Sequence, residues 1–453
     1  MSLALLLDLY ELTMAQSYFV YKRKSFATFD LFVRDLPNSR SYLMAAGLEG
    51  ILGYIGALRF RKEDLEYLTS QKIFTPAFLK YLANFRFRGD IWAMPEGEIF
   101  FANEPILRVT APIIEAQLIE SFLLNTINLE SMIASKASRV VNAAKGRKVY
   151  DFSFRRAHGP EAGIKVARSS FIAGVSGSSC VESGKSYKIP IVGTMAHAYV
   201  MSFKKEIDSF RAYCNIFPDK STLLVDTYET KKGIENAIAI GLELERKGYQ
   251  LKGIRLDSGN IAELSKLARK MLDKAGLNYV KILASGNLDE FKIKALLEKG
   301  AKVDIFGVGT NMGTSSDAPS LDVIYKISEV SDEEGKFLPT MKLSKGKITY
   351  PGRKQVFRNQ DSKGRFTKDI LGLENERIKG RPLLKKVVQS GRVVYKAPSL
   401  YKIRDFAAKN LSRFPEKLKD VRAAYKYPVI TSQALNKLRR SLSRELENEE
   451  KNR

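Results

Sequence analysis

Apolar and polar positions follow two different rhythms along the chain, and the change between them falls near residue 146. Before it, LYELTMAQSYFVYK has helical periodicity, and ATFDLFVRDLP alternates like a strand ahead of a turn at Pro37-Asn38. SRSYLMAAGLEGILGYIGAL reads as a helix of small residues, and EDLEYLTS and PAFLKYLANF read as short helices. FRGDIWAMPEGEIFFANEPILRVTAP contains three short strands broken by Gly and Pro, the pattern of an antiparallel sheet. A long helix then runs from Ile113 to Gly146.

Beyond that point, short β-branched runs recur, each followed by a polar or Gly-containing turn and a helix-like stretch. They are KVYDFSFR (148–155), IPIVGTMAH (189–197), TLLVDTYET (222–230), LKGIRLDSGN (251–260), VKILASGN (280–287) and VDIFGVGT (303–310). From 189 onward their starts lie 33, 29, 29 and 23 residues apart, the length of a βα unit. Near-continuous apolar strands alternating with helices imply a parallel sheet covered on both faces. This many units without a clear Rossmann fingerprint favours an irregular, TIM-like α/β barrel over an open sheet. Residues 331–400 return to short strands and Gly turns (KITYPGRKQVFRNQ, SGRVVYKAP), EGKFLP reads as a surface loop, and the last 40 residues read as helical. The expected organisation is an N-terminal antiparallel α+β domain (1–145), an α/β barrel (146–330), and a β-rich extension with a basic helical C-terminus (331–453).

Composition narrows the class. The 453 residues are 44% hydrophobic and 28% charged, as in soluble globular proteins. No apolar run approaches the ~20 residues of a membrane helix, and Asp8 and Glu11 interrupt the apolar start, which lacks the basic flank of a signal peptide. Two cysteines, Cys180 and Cys214, allow neither a disulfide framework nor a four-Cys zinc site, and fit a reducing cytoplasm. Net charge is +25, of which residues 351–453 carry +16 (27 basic, 11 acidic). Such an excess suits a polyanion partner or a field that draws in small polyphosphates. With no RNA or DNA motif and no Arg/Gly/aromatic interleaving, a solvated basic surface is the simpler reading, and no specific nucleic acid is expected.

In a barrel, catalytic groups come from the C-terminal ends of the strands. Here every run ends in polar groups: Arg155-Arg156, Thr194 and His197, Asp226 and Glu229, Arg255 and Asp257-Ser258-Gly259, Ser285-Gly286-Asn287, and Gly307-Gly309-Thr310. Six successive polar endings that mix cations, carboxylates and small residues point to an enzyme. The last two place Gly beside Ser or Thr just before a helix, where backbone N–H groups and hydroxyls can ring a phosphate. Planar Arg forks suit carboxylates and phosphates, and Arg255, two residues before Asp257 on one strand, shares its face. His197 closes one run and His158 sits in a loop. Asp226, Glu229 and Asp257 could hold Mg²⁺ with its waters.

Assembled, these segments resemble the nicotinate phosphoribosyltransferase family. The resemblance rests on LDLYELTMAQSYF, DFSFRRAHGPEAG, GTMAHAYVMSF, LVDTYET, GIRLDSGN, ILASGNLDE and FGVGTNMGTSSDAPSLDVIYK, in order across residues 5–330. It implies transfer of a phosphoribosyl group from phosphoribosyl pyrophosphate to nicotinate, with ATP as co-substrate, substrate-borne Mg²⁺, and a homodimer with shared sites. It also implies residue roles. His197 is the histidine that ATP phosphorylates, and Asp226 orients that imidazole or holds Mg²⁺. Phe152 and Tyr10 sandwich the pyridine, Tyr10 coming from the partner subunit. Arg155, Thr194 and Arg255 grip nicotinate and the ribose phosphate. Asp257 meets the ribose hydroxyls or the Mg²⁺-diphosphate, and Ser285, Gly286, Asn287, Gly307, Gly309 and Thr310 form the 5′-phosphate pocket. Some relatives bind zinc through C-terminal cysteines; none follows Cys214, so no zinc is expected. Nicotinamide phosphoribosyltransferase is the alternative acceptor choice, and quinolinate phosphoribosyltransferase is disfavoured because that family is shorter and lacks the histidine motif. A nucleic-acid-binding protein with an inert barrel and a non-catalytic phosphosugar sensor are the readings from other classes.

Overall fold

The computed structural model describes residues 2–344 and 349–451; residues 347–348 of the KITYPGRKQVFRNQ run lie outside them. The chain forms two compact units, Ile133–Pro319 and the segments flanking it on both sides.

The flanking unit is built on a seven-stranded antiparallel sheet in the order Phe337–Pro339, Val323–Ser331, Phe26–Val33, Pro105–Pro112, Asp90–Ala93, Lys385–Gln389, Arg392–Val393. Phe26–Val33 lies inside it and is buried along nearly its whole length, not on one face as its alternation suggests. The EGKFLP segment is a hairpin arm, not a free loop: Gly335 turns the chain at φ 86° and Phe337 pairs with Ser331. A four-stranded sheet, Arg381–Pro382, Lys354–Gln360, Phe366–Leu373 and Val429–Thr431, and a two-stranded one, Leu43–Met44 with Ile99–Phe100, also belong to this unit. Its Arg358 is fully buried against Glu98 (2.6 Å) and Asp369 (2.5 Å).

Ile133–Pro319 carries the parallel strands. Their order is Gly177–Ser178, Lys148–Asp151, Ile305–Val308, Lys281–Ala284, Gly253–Leu256, Thr222–Leu224, every ladder parallel. Neighbours in space are neighbours in sequence, and the last strand pairs with the first, the closing contact of a barrel. A single bridge, Ser178 to Ile191, extends the far edge. Among the described residues no ladder joins Ile191 to Thr222–Leu224, so that seam stays unclosed by strand pairing. The 189–197 run is therefore not the strand its pattern predicts. Pro190 lacks an N–H to give a ladder, and the sheet edge is instead the two-residue Gly177–Ser178 strand. Gly177 is required there, since a Cβ would lie 2.6 Å from the Pro190 carbonyl oxygen.

Behind the strand ends lies a buried ionic cluster. Lys136 Nζ, on the Glu120–Ala143 helix, meets Glu290 Oε2 at 2.6 Å and Asp317 Oδ1 at 2.7 Å, while Arg139 Nε meets Glu290 at 2.9 Å. Glu290 opens the helix after the Ser285-Gly286-Asn287 turn, and Asp317 follows the turn at Thr310, so one ammonium ties both turns down. Removing one partner of a buried pair leaves the other uncompensated. Lys136→Met is expected to cost on the order of 3 kcal/mol, Arg139 keeping it at the low end of that range, read as a lowered urea midpoint.

Candidate active site

The polar endings converge. A cavity of about 290 Å³ lies at the C-terminal ends of the strands, and Phe152, Arg155, Thr194, His197, Arg255 and Asp257 all line it. A larger cleft of about 670 Å³ in the other unit, with Arg23, Arg86 and Arg88 on its wall, contains none of the nominated residues.

Arg255 organises the centre. Its Nε donates to Ser285 Oγ (2.8 Å), Nη1 to Thr194 Oγ1 (3.0 Å) and Nη2 to Asp257 Oδ1 (2.7 Å), and its guanidinium carbon sits 5.6 Å from the Phe152 ring centroid. Ser285 Oγ also donates to Asp257 Oδ1 at 2.5 Å. Burial pushes the Asp257 carboxyl up, but the Ser285 hydrogen bond and the Arg255 charge outweigh it and hold the group below the usual carboxylate range. Asp257 is therefore ionised at neutral pH. Arg155, in the Phe154–Arg156 turn, is exposed and, among the described residues, makes no hydrogen bond or ion pair with another side chain. It is the cation of the cavity left for a ligand.

His197 starts the short His197–Met201 helix. Its Nδ1 lies 3.1 Å from Thr227 Oγ1, and its Nε2 lies 3.8 Å from Asp257 Oδ2. Among the described residues no hydrogen bond or ion pair joins Asp226 to the imidazole, so of the two roles expected of it the Mg²⁺ one is left. Asp226 Oδ2 accepts from the Asp257 N–H (2.8 Å) and Ser258 Oγ (2.7 Å), so it sets the Asp257 turn, while its Oδ1 is buried without a hydrogen-bond partner among the described residues. Glu229 is likewise spent: it caps the Thr230–Arg246 helix, accepting from the N–H groups of Lys231 and Lys232. Sequence reading missed Thr227, a hydroxyl inside the LVDTYET motif, because the neighbouring carboxylate drew the assignment.

The glycines have separate reasons. Gly286 has φ 92°, and a Cβ on it would lie 2.0 Å from the Asp257 carbonyl oxygen, so the turn closes over Asp257 only without a side chain. Gly286→Ala is expected to cost on the order of 2–4 kcal/mol through clash and left-handed strain together, measured by denaturant unfolding. Gly307 is a strand residue paired with Tyr150, and a Cβ on it would reach within 2.5 Å of the Phe152 ring. Its smallness makes room for that ring. Gly309 follows that strand with Thr310 exposed beside it, and Asn287, at φ 51°, accepts from Asn311 Nδ2 through Oδ1 at 2.9 Å. Asn311 thus joins the 286–289 and 309–311 turns. Ser285 is buried and committed to Arg255 and Asp257.

Buried Asp151 also escaped sequence reading. It accepts from the Ser153 N–H (2.9 Å) and Ser178 Oγ (2.7 Å), pinning the turn that carries Phe152 and Arg155. His158 is exposed and does not line the cavity. Tyr10 belongs to the other unit, on the Leu9–Tyr21 helix, where it is 45% exposed. No helix among the described residues is long and apolar enough to cross a membrane.

The chain resembles known proteins along most of its length. It is 46% identical over 431 residues to a nicotinate phosphoribosyltransferase of Mycobacterium tuberculosis, covering 95% of this chain and 91% of that protein. The crystal structure of human nicotinic acid phosphoribosyltransferase superposes with a TM-score of 0.86 at 28% identity, covering 97% of this chain and all of the other. A structure titled nicotinate-nucleotide pyrophosphorylase from Pyrococcus furiosus follows, with TM-score 0.71 at 27% identity over 90% of this chain and 94% of that one. Family models match in order: the nicotinate phosphoribosyltransferase N-terminal domain over residues 5–128, the nicotinate phosphoribosyltransferase family over 147–369 and its C-terminal domain over 377–439, the last in a stretch where no motif was legible. With its strand-end residues gathered in one cavity and these matches end to end, the chain belongs to the nicotinate phosphoribosyltransferase family.

Proposed function

We propose that the cavity at the C-terminal strand ends transfers the phosphoribosyl group of phosphoribosyl pyrophosphate to nicotinate, giving nicotinate mononucleotide and diphosphate in NAD salvage. The observation that carries this reading is the meeting of Arg155, Phe152, His197, Arg255 and Asp257 in one cavity of a chain of this family. In the reaction the pyridine nitrogen forms a bond to ribose C1, and the C1–O bond breaks with its electron pair leaving on the diphosphate. Positive charge develops at C1 and negative charge on the leaving group, so a fixed anion and fixed cations both lower the barrier. Asp257, ionised and held from two sides, supplies the anion. Arg155, without a side-chain partner among the described residues, pairs with the nicotinate carboxylate, and Arg255 adds its field beside the Phe152 ring. That ring and Tyr10 of the partner subunit hold the flat acceptor against C1, an orientation effect, and the active form is a homodimer. The turns at Gly286-Asn287 and Gly309-Thr310 receive the 5′-phosphate.

Mg²⁺ fits this site as a substrate-borne ion. The unpartnered Oδ1 of Asp226 and the adjacent Asp257 carboxylate can face it, while among the described residues no group of three or more His, Cys, Asp or Glu could hold a metal alone. Bound there, the ion neutralises charge on the departing diphosphate. ATP acts through His197: with Nδ1 held by Thr227, Nε2 accepts the γ-phosphoryl, the N–P bond forming as the P–O bond to ADP breaks.

The test compares acceptors. With phosphoribosyl pyrophosphate, ATP and Mg²⁺, nicotinate is expected to be consumed far faster than nicotinamide or quinolinate. Arg155→Gln is expected to raise KM for nicotinate roughly 10- to 100-fold, the worth of a charged hydrogen bond. Preference for nicotinamide or quinolinate in the unaltered protein overturns the assignment.

A further inference from the structure

The opposite end of the parallel strands carries a second cavity, of about 650 Å³. Lys148, Thr222, Gly253, Lys281 and Ile305 are each the first residue of a strand and all five line it; the ladders set Thr222, Gly253 and Lys281 level, and Ile305 and Lys148 level with Leu283, which also lines it. Catalytic groups come from the other ends. This cavity is therefore not the transfer site, yet Phe152, Gly193 and Thr194 line both cavities.

Its chemistry is lopsided. Lys148, Lys220, Lys252 and Lys281 stand on its wall against one lining carboxylate, Asp219. Lys281 is paired, at 3.6 Å, with Asp304, whereas the ammoniums of Lys148, Lys220 and Lys252 have no carboxylate partner within salt-bridge distance among the described residues. Between them the wall is apolar and aromatic: Tyr213 and Phe217 lie with ring centroids 5.1 Å apart, and Phe217 (46%) and Ile191 (59%) are unusually exposed for their type. Exposed apolar surface ringed by unpaired cations is complementary to a flat, apolar body bearing anionic groups, and the volume falls in the range of small-molecule sites.

We propose that this N-terminal mouth is a second ligand site, which takes a nucleotide. The base lies among Tyr150, Tyr213 and Phe217, and the phosphate meets Lys148, Lys220 and Lys252. Because the two cavities share Phe152 and Thr194, an occupant there disturbs the acceptor pocket and weakens nicotinate binding. The binding claim stands on this cavity alone; only the kinetic consequence rests on the transfer reaction proposed above.

The experiment uses the full-length protein and AMP carrying a fluorescent N-methylanthraniloyl group, which cannot donate a γ-phosphoryl. Unaltered protein is expected to show two binding events, one of them weakened at least tenfold in Lys148→Glu/Lys252→Glu and in Ile191→Glu. All three positions are exposed, so the thermal midpoints stay where they are in the parent. That event is also expected to weaken with rising NaCl, and unlabelled AMP is expected to compete at least tenfold better than ribose 5-phosphate. AMP is further expected to raise KM for nicotinate in the parent but much less in the double variant. Two events of unchanged affinity in both variants, or a single event throughout, overturn the site. Equal competition by ribose 5-phosphate overturns its assignment to a nucleotide. Retained binding with no change in KM overturns the coupling alone and leaves the transfer reaction untouched.

Discussion

Asp257→Asn is expected to lower kcat/KM for phosphoribosyl transfer by about 10²–10³-fold, the usual loss when one preorganised electrostatic group facing the reacting centre is removed. The carboxylate receives Arg255 and Ser285 on one oxygen and faces His197 with the other. Asparagine keeps the shape but removes the charge, and its amide can present N–H groups to donors that need an acceptor. Both kcat and KM for phosphoribosyl pyrophosphate should change, since the same oxygens organise Arg255. The pH behaviour follows from the lowered pKa. A carboxyl whose folded pKa lies below its unfolded value stabilises the fold above the unfolded pKa of about 4, and that contribution disappears as pH falls through the folded value. Between pH 5 and 8 Asp257 is fully charged. A loss of activity between pH 6 and 7 thus belongs to another group, and steady-state pH profiles of parent and variant should share that limb. An Asp257→Asn variant with parental kcat/KM would remove this residue from the chemistry.

His197→Ala is expected to abolish incorporation of ³²P from γ-labelled ATP and to uncouple ATP hydrolysis while leaving slow transfer. The effect on labelling is all-or-none because the substitution deletes the acceptor atom. Thr227→Val serves as the graded counterpart: it deletes the hydroxyl 3.1 Å from Nδ1 but leaves the imidazole. One hydrogen bond is worth about 1 kcal/mol, so the labelling rate should fall roughly three- to tenfold without vanishing. Normal label uptake by the alanine variant would place the phosphoryl acceptor elsewhere; an unaffected rate in Thr227→Val would mean that the imidazole is oriented by something other than that hydroxyl.

What could be read from the sequence was the chemistry of strand endings. Residue types at the rim are dictated by the ligand, so Arg155, Thr194, His197, Arg255 and Asp257 stand out against ordinary turn formers, and they share one cavity. The supporting contacts were not legible, because they join residues whose types are ordinary. Asp151 looks like any strand-end aspartate until Ser153 and Ser178 are seen around it. Lys136 sits mid-helix, and only the fold brings Glu290 and Asp317 to its ammonium. Gly307 belongs to a phosphate-like string, yet the atoms that forbid a side chain there are those of Phe152, distant in sequence. Strand assignment failed where pairing outranks pattern: 189–197 is apolar and β-branched but makes one bridge, while the two-residue Gly177–Ser178 strand has no periodicity to detect.

A crystal structure of the full-length protein soaked with nicotinate mononucleotide puts the account at risk most directly. The pyridine ring is predicted to lie against Phe152 with its carboxylate toward Arg155, the ribose beside Asp257, and the 5′-phosphate at the Gly286-Asn287 and Gly309-Thr310 turns. Product density confined to the cleft beside Arg23 and Arg88, or to the lysine-lined opposite mouth, with the strand-end cavity bare, would contradict it.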